Sequence, residues 1–320
     1  MRWSPVSRDL RSLTEAAARF FARSAESSWV PAYLAARGFD PAVARRWQIG
    51  YAPGERAALA GHLRGLGYTV AQIRAVGLAG LFRDRAMFPV RSIDGTVAGF
   101  IGRAPPGGAE PVYLNTPATE LYHKGSLLFG LYEGSAALAA GVRPVLVEGP
   151  LDAIAVSAAG RVGVAPCGTA LTAAQVELLS WAAADLRSTG VAIAFDPDRA
   201  GRAAAVRAYP LLRTITDELW VVSLPTGSDP AEVLRTQGAG GLAAVLDSSL
   251  LPLPDLVVDT RLAEFGRWLE FTDGTFAALR AVAPLIAGLP PGQVARQVAR
   301  VAARLGCTHA EVTQAVTSAI

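Results

Sequence analysis

Between residues 140 and 235 the chain changes rhythm four times in the same way. Short apolar, β-branched runs at Val145–Val147, Val162–Ala165, Val191–Phe195 and Leu219–Leu224 are each followed by helical spacing, over 152–159, 172–184, 200–212 and 230–235. Strand–helix alternation of this period predicts a mostly parallel sheet covered by helices. The preceding residues follow another pattern. Helical spacing covers Leu13–Arg23 and Ser27–Arg37, the second stretch ending at Gly38, and a short helix is expected over 41–48 with Pro41 in its first turn. Runs at Ala86–Val90 and Thr96–Ile101 flank a Ser-Ile-Asp-Gly turn and predict a hairpin, with a Pro/Gly loop at Ala104–Pro111 after it. Beyond the Pro-rich LLPLPDL the pattern reads as amphipathic helices and nothing else. Three regions are therefore expected: an α+β lobe at 1–138, an α/β domain at 139–245 and a helical subdomain at 246–320.

Ligands of such sheets bind beyond the carboxyl ends of the strands. Glu148, Asp196, Asp198 and Asp229 fall there, with Asp152 four residues after Glu148. An aspartate after a strand often only caps the next helix, and Asp152 or Asp198 alone would be read that way. Four acids at the ends of three strands would converge, and converging carboxylates repel unless something positive lies between them. Oxygen donors without nearby His or Cys suit Mg²⁺ or Mn²⁺ rather than zinc.

Composition narrows the class further. A hydrophobic content of 51% across 320 residues supports a real core. No run approaches the roughly 18 apolar residues of a membrane span, and MRWSPVSRDLRSL lacks a signal-peptide stretch, so a cytoplasmic protein is expected. Cys167 and Cys307 are too few and too far apart for a disulfide framework or zinc ribbon. The net charge of +3 is unevenly spread: 16 basic against 10 acidic side chains in residues 1–140, and slightly more acid than base afterwards. That asymmetry suits a polyanion held on the first lobe, although an Arg-rich surface alone would look the same.

VEGPLD (147–152), GTALT (168–172), FDPDRAGRAA (195–204) and LPTGSDP (224–230), in this order, resemble a TOPRIM domain, the metal-binding module of DnaG-type primases, topoisomerases and some nucleases. RGFDPAVARRWQIGYAP (37–53), FRDRAMFPVRSIDGTVAGFIGR (82–103) and YLNTPATELYHKGSLLFGLYE (113–133) are similar to the RNA-polymerase core of bacterial DNA primase. With the helical tail the resemblance covers nearly all the chain. It implies a TOPRIM fold preceded by a basic α+β lobe and followed by a helical bundle. The activity it implies is metal-dependent synthesis of short RNA primers, a nucleotidyltransferase reaction of DNA replication.

By position in those motifs, Glu148 resembles the catalytic acid, Asp196 and Asp198 the metal ligands, and Asp152 and Asp229 supporting acids of the same site. Whether Glu148 coordinates metal or assists deprotonation is open at this stage. Arg83, Arg85, Arg103 and Lys124 fall in the family's basic motifs and are expected to hold triphosphate or template phosphates. Tyr113 and Asn115 are expected to stack on or hydrogen-bond a nucleotide, with hairpin packing as the alternative. Arg91 is a weaker candidate, being read as an exposed hairpin residue. His123, inside the YHKG match, suits a nucleotide-site or structural role better than a metal one.

The implied partners are single-stranded DNA template and ribonucleoside triphosphates, with a replicative helicase or a separate zinc-binding protein as further ones. The family's zinc-binding and helicase-binding modules have no counterpart in these motifs. Val112 stands where the family has a lysine, Ala231 where a second aspartate is frequent, and Leu81 where an arginine is frequent. These departures keep open a second reading, a weak or inactive TOPRIM accessory protein that binds single strands or nucleotides in replication or conjugation. A TOPRIM nuclease or topoisomerase fits the N-terminal motifs poorly.

Overall fold

The computed structural model describes residues 5–168 and 170–319. Thr169, within the GTALT motif, lies outside the described residues, as do the first four.

Two sheets organise the chain. The first is antiparallel, with strands in the order β1 (Gly50–Ala52), β2 (Arg85–Arg91), β3 (Val97–Arg103) and β4 (Tyr113–Asn115). The expected hairpin is the β2–β3 pair, where Phe88 faces Ile101 across the register. The long helix Pro5–Ala25 lies against this sheet. Thr14 donates its hydroxyl to the Val97 carbonyl and Glu15 accepts from the Val97 amide at 2.9 Å, so one helical turn satisfies the start of β3. Leu13, Phe21, Met87 and Phe100 fill the layer between them. Helix Val30–Ala36 ends before Gly38, whose φ of +80° breaks the helix. Asp40 caps helix Pro41–Arg46 by accepting from the Ala42 amide at 2.6 Å.

The second sheet holds β5 (Leu128–Phe129), β6 (Pro144–Leu146), β7 (Val162–Pro166), β8 (Val191–Ile193), β9 (Leu219–Val222) and β10 (Leu250–Pro252), in the order β10-β9-β8-β6-β7-β5. Its four central strands are parallel, and β6, β7 and β8 are buried on both faces, which explains their unbroken apolar runs. The antiparallel edges β5 and β10 carry the sheet beyond residues 139–245, to Leu128 on one side and Pro252 on the other. The Pro-rich LLPLPDL, read as the start of a purely helical region, is an edge strand running into the first turn of helix Leu253–Ala263. An edge strand and a helix start are the two places where missing N–H groups cost little.

One face of this sheet carries helices Pro150–Ala158 and Pro230–Ser248 and packs against Val30, Tyr33, Leu34 and Phe39 of the first lobe. The other carries Ala173–Ala182, Arg199–Leu212 and Leu253–Ala263. Trp47 stacks on Phe129 at 5.2 Å, and Arg91 pairs with Glu133 at 2.9 Å; both contacts join the lobes. Helices Leu253–Ala263, Thr272–Ala287, Pro291–Leu305 and His309–Thr317 share a separate core. Asp255 and Asp259 meet Arg296, Arg300 and Arg304, charges one turn apart on two facing helices. No helix among the described residues is long and apolar enough to cross a membrane.

Candidate active site

Parallel strands that end in register bring their following loops to one edge. β6, β8 and β9 are consecutive neighbours, so the segments carrying Glu148, Asp196 and Asp229 emerge side by side. Glu148 is exposed, and its Oε1 accepts the Asp196 backbone N–H at 3.1 Å, tying two strand ends together. Asp198 caps helix Arg199–Leu212 by accepting from the Gly201 amide at 2.8 Å, and Asp229 caps helix Pro230–Ser248 through the Glu232 amide at 2.6 Å. Asp152 is not a cap. It is buried in the first turn of its helix and accepts the Ala231 amide at 3.3 Å. Capping and convergence are thus compatible: one set of acids does both. A Cβ on Gly201 would come within 2.2 Å of the Asp196 carbonyl oxygen and 2.9 Å of Glu148 Oε1, so the motif needs glycine there.

The acids act on one another. Burial raises the Asp152 pKa to about 8, with repulsion from Asp229, Asp196 and Glu148 adding to it. Burial likewise raises Asp196 to about 6, helped by Glu148, Asp229 and Asp198. Among the described residues no three potential ligands stand close enough to form a ready-made metal cage. Each of Glu148, Asp152, Asp198 and Asp229 gives a hydrogen bond acceptor to a backbone N–H. Oxygen-only donors that repel each other, on a rim of this openness, fit a divalent ion that keeps most of its waters.

The cations divide into two groups. Arg103 belongs to an aromatic stack at the lobe boundary. Its guanidinium lies 4.6 Å from the Tyr33 ring centroid and 5.8 Å from that of Tyr113, donates to the Ala104 carbonyl at 2.8 Å, and has a buried Nε without a partner among the described residues. Arg37 sits 5.3 Å from the same Tyr33 ring. Burial raises the Tyr33 phenol; Arg103 and Arg37 oppose that rise and Asp229 adds to it. Packing likewise raises Tyr113, opposed by Arg103 and reinforced by Tyr33 and Asp152. The aromatic–arginine stack of the first lobe therefore shares a field with the acids of the second. Arg37 and Tyr33 were not singled out in the sequence, although both lie in or beside the RGFDPAVARRW match; the nearness of Tyr33 to Asp229 and of Arg37 to Glu232 is a product of lobe packing.

Two arginines need correcting. Arg85, expected on phosphate, is 5% exposed and donates its Nη1 to the carbonyls of Val112 at 3.0 Å and Gly102 at 3.3 Å. Its motif neighbour Asp84, at φ +48°, takes hydrogen bonds from Trp29 and Tyr51 and so turns Arg85 inward. Arg91 is not an exposed hairpin residue: it is buried against Glu133 and also donates to Gln48 at 2.6 Å. Arg83 and Lys124 are exposed. Asn115 accepts from the Tyr122 hydroxyl at 2.8 Å, and its Nδ2 lies where a Cβ on Gly168 would be, 2.5 Å away. Gly168, at φ +73°, lets the two lobes close over that amide. Val112 has an exposed side chain beside Tyr113, and Ala231 is buried with its N–H on Asp152.

Residues 20–135 match the family described as DNA primase catalytic core, N-terminal domain, and residues 145–234 match a Toprim-like family. The RNA polymerase domain of Mycobacterium tuberculosis primase DnaG superposes with a TM-score of 0.79 at 30% identity, over 92% of this chain and 98% of that one. This chain belongs to the DnaG family of DNA primases. A DnaG primase catalytic domain bound to single-stranded DNA is similarly close, with a TM-score of 0.76 at 29% identity over 96% of this chain and 99% of that one. The DNA primase of Synechococcus elongatus is 37% identical over 270 residues, which are 79% of this chain and 38% of that DnaG primase. The chain spans less than half the length of such curated DnaG primases.

Proposed function

We propose that the chain is the catalytic core of a DNA primase, making short RNA primers on single-stranded DNA from ribonucleoside triphosphates. The observation that carries this reading is the convergence of Glu148, Asp196 and Asp229 at the ends of three neighbouring parallel strands, with Arg103 stacked by Tyr33 and Tyr113 on the adjoining lobe. A cation with an unpartnered buried N–H, placed opposite a row of carboxylates, suits a triphosphate whose reacting end lies at the acids.

In the reaction a hydroxyl oxygen of the primer end, or of the first nucleotide, bonds to the α-phosphorus. The bond from that phosphorus to the bridging oxygen breaks, pyrophosphate leaves with the electron pair, and the hydroxyl proton passes to water. Bound Mg²⁺ or Mn²⁺, held by Glu148, Asp196 and Asp198 with Asp152 and Asp229 in support, would supply neutralisation of charge developing on the oxygens. The chain's own contribution is positioning. Asp198 and Asp229, fixed by their caps, set the rim; Arg103 and Arg37 hold the phosphates; Tyr113 offers a face for a base. Arg83 and Lys124, exposed on the first lobe and in the turn before β5, are placed for strand phosphates, and Asn115 is held ready by Tyr122.

The test is primer synthesis on a single-stranded template with labelled ribonucleotides, with Mg²⁺, with Mn²⁺, and in chelator. Product with either ion and none in chelator is expected. A chain that binds template and nucleotide but makes no primer with either ion overturns the assignment. The relatives' further modules make a replicative helicase or a separate zinc-binding protein a candidate partner.

A further inference from the structure

Apart from Lys124, beside helix Ala173–Ala182, and Asn115, beside Gly168, the contacts assigned above lie along the acidic edge or on the face that packs against Tyr33. A second cleft opens on the opposite face. It has a volume of about 390 Å³ and lies between the end of β7 and helix Arg199–Leu212, bounded by Pro166, Leu171, Phe195, Ala204 and Arg207, with Glu148 at its rim. Helix Arg199–Leu212 packs in the core of this far face, whereas Tyr33 and the helices beside Asp152 and Asp229 belong to the other core. The row of acids thus separates the Arg103 stack from this cleft.

Arg207 is exposed and makes no hydrogen bond or ion pair with any described residue. Of the other arginines on this helix, Arg199 is exposed at its start and does not line the cleft, and Arg202 donates to the Pro197 carbonyl at 2.6 Å and lines a different cavity, beside Asp196. The remaining walls are small or apolar residues, and the one carboxylate of the lining, Glu148, gives its Oε1 to the Asp196 amide. A free planar guanidinium over an open, small-residue cleft can grip two oxygens of one phosphate at once.

We propose that this cleft is a phosphate subsite in which Arg207 holds an anion on the far side of the sheet from the Arg103 stack. The shared chemistry is a phosphate group, and it has two sources: the pyrophosphate released by nucleotidyl transfer, or a phosphodiester of a bound strand. The naming of these sources rests on the primase reading, while the existence of the subsite does not.

The experiment compares the full chain with Arg207→Ala and Arg207→Lys. Binding of labelled inorganic pyrophosphate is measured by equilibrium dialysis, and binding of a fluorescent single-stranded oligonucleotide by anisotropy over a salt series. If the anion is pyrophosphate, Arg207→Ala weakens its binding about tenfold and leaves the oligonucleotide within twofold. If it is a strand phosphate, the oligonucleotide weakens instead and its salt dependence flattens by about one contact. In either case Arg207→Lys recovers part of the loss, because it keeps the charge and loses the fork. Arg207 is exposed, so an unchanged melting temperature is expected and confirms folded protein. The proposal is overturned if neither affinity changes in Arg207→Ala. A wild type that makes no primer yet binds pyrophosphate through Arg207 would sink the primase reading and leave the subsite standing; an active enzyme indifferent to Arg207→Ala would do the reverse.

Discussion

The acids and the cations of this site reach it by different routes. The acids sit within two to seven residues of the ends of adjacent parallel strands, on a sheet buried on both faces. Their positions are fixed by strand order and by the backbone amides they accept from, so a short sequence motif suffices to place them. The cations come from strands, turns and helices of a second lobe, and lobe packing decides which of them face the acids. Arg103 and Arg37 stack by Tyr33 at the boundary; Arg85 and Arg91 are turned into the lobe as structural donors. A carboxylate at a strand end is committed to the edge by topology, whereas an arginine with a long flexible side chain can satisfy either a phosphate or a carbonyl.

The strongest challenge to this contrast is removal of an acid. Glu148→Gln or Asp196→Asn should abolish primer synthesis, a loss of roughly a thousandfold or more if charge stabilisation at the phosphate is what the acids provide. Single-strand affinity should stay within about twofold. The melting temperature in chelator should hold or rise, since each change removes repulsion from the neighbouring carboxylates. Primer synthesis at the wild-type rate in either variant would break the assignment of the edge.

Removing a cation of the boundary stack should cost less. Arg103→Ala deletes a charge-assisted contact, so the apparent KM for ribonucleotide should rise about ten- to a hundredfold. The acids remain in place, and maximal turnover should fall less than the affinity does. An unchanged KM would mean that the stack on Tyr33 and Tyr113 is only packing.

The two arginines of the FRDR motif separate the roles more finely. Arg85→Ala removes a buried donor from the Gly102 and Val112 carbonyls, the latter keeping the Ala104 amide, and should cost about 1–3 kcal/mol of stability, read from denaturant unfolding. Arg83→Ala should leave stability unchanged and reduce the salt slope of single-strand binding by about one. Reversed outcomes would restore Arg85 to the phosphate and make Arg83 a bystander.

The same distinction governs what could be read in the chain itself. The parallel sheet, its helices and the five acids followed from periodicity and motif, because local pattern and tertiary position agree there. The edge strand at Leu250–Pro252 was missed because proline punctuates sequence equally well at a linker, a strand edge and a helix start. β1, β4 and β5 were missed because strands of two or three residues show no period. Arg85 was misplaced because nothing local says that Asp84 will be held by Trp29 and Tyr51 from elsewhere in the lobe. Arg37 and Tyr33 became visible only when the lobes were packed together.

The smallest expected effect concerns a cation that is not there. Val112 occupies a position where the family carries lysine, and its side chain is exposed beside Tyr113, while its carbonyl is fixed by Arg85 and by the Ala104 amide at 2.8 Å. The backbone there is pinned and the side chain is not, so Val112→Lys should fold normally and place an exposed ammonium next to Tyr113. If the native site lacks a phosphate contact, this variant should raise primer synthesis several-fold at low nucleotide concentration and little at saturation. If Arg103, Arg37 and Lys124 already neutralise the triphosphate, a further cation gains nothing, and Lys124→Ala should then be the more damaging change. Lys124 is well placed for comparison, since its backbone carbonyl is held by Gln175 at 2.9 Å while its side chain is exposed. Primer yield against ribonucleotide concentration for the two variants decides between these cases. A wild type without primer synthesis that Val112→Lys does not rescue would leave the binding-only accessory reading in possession of the fold.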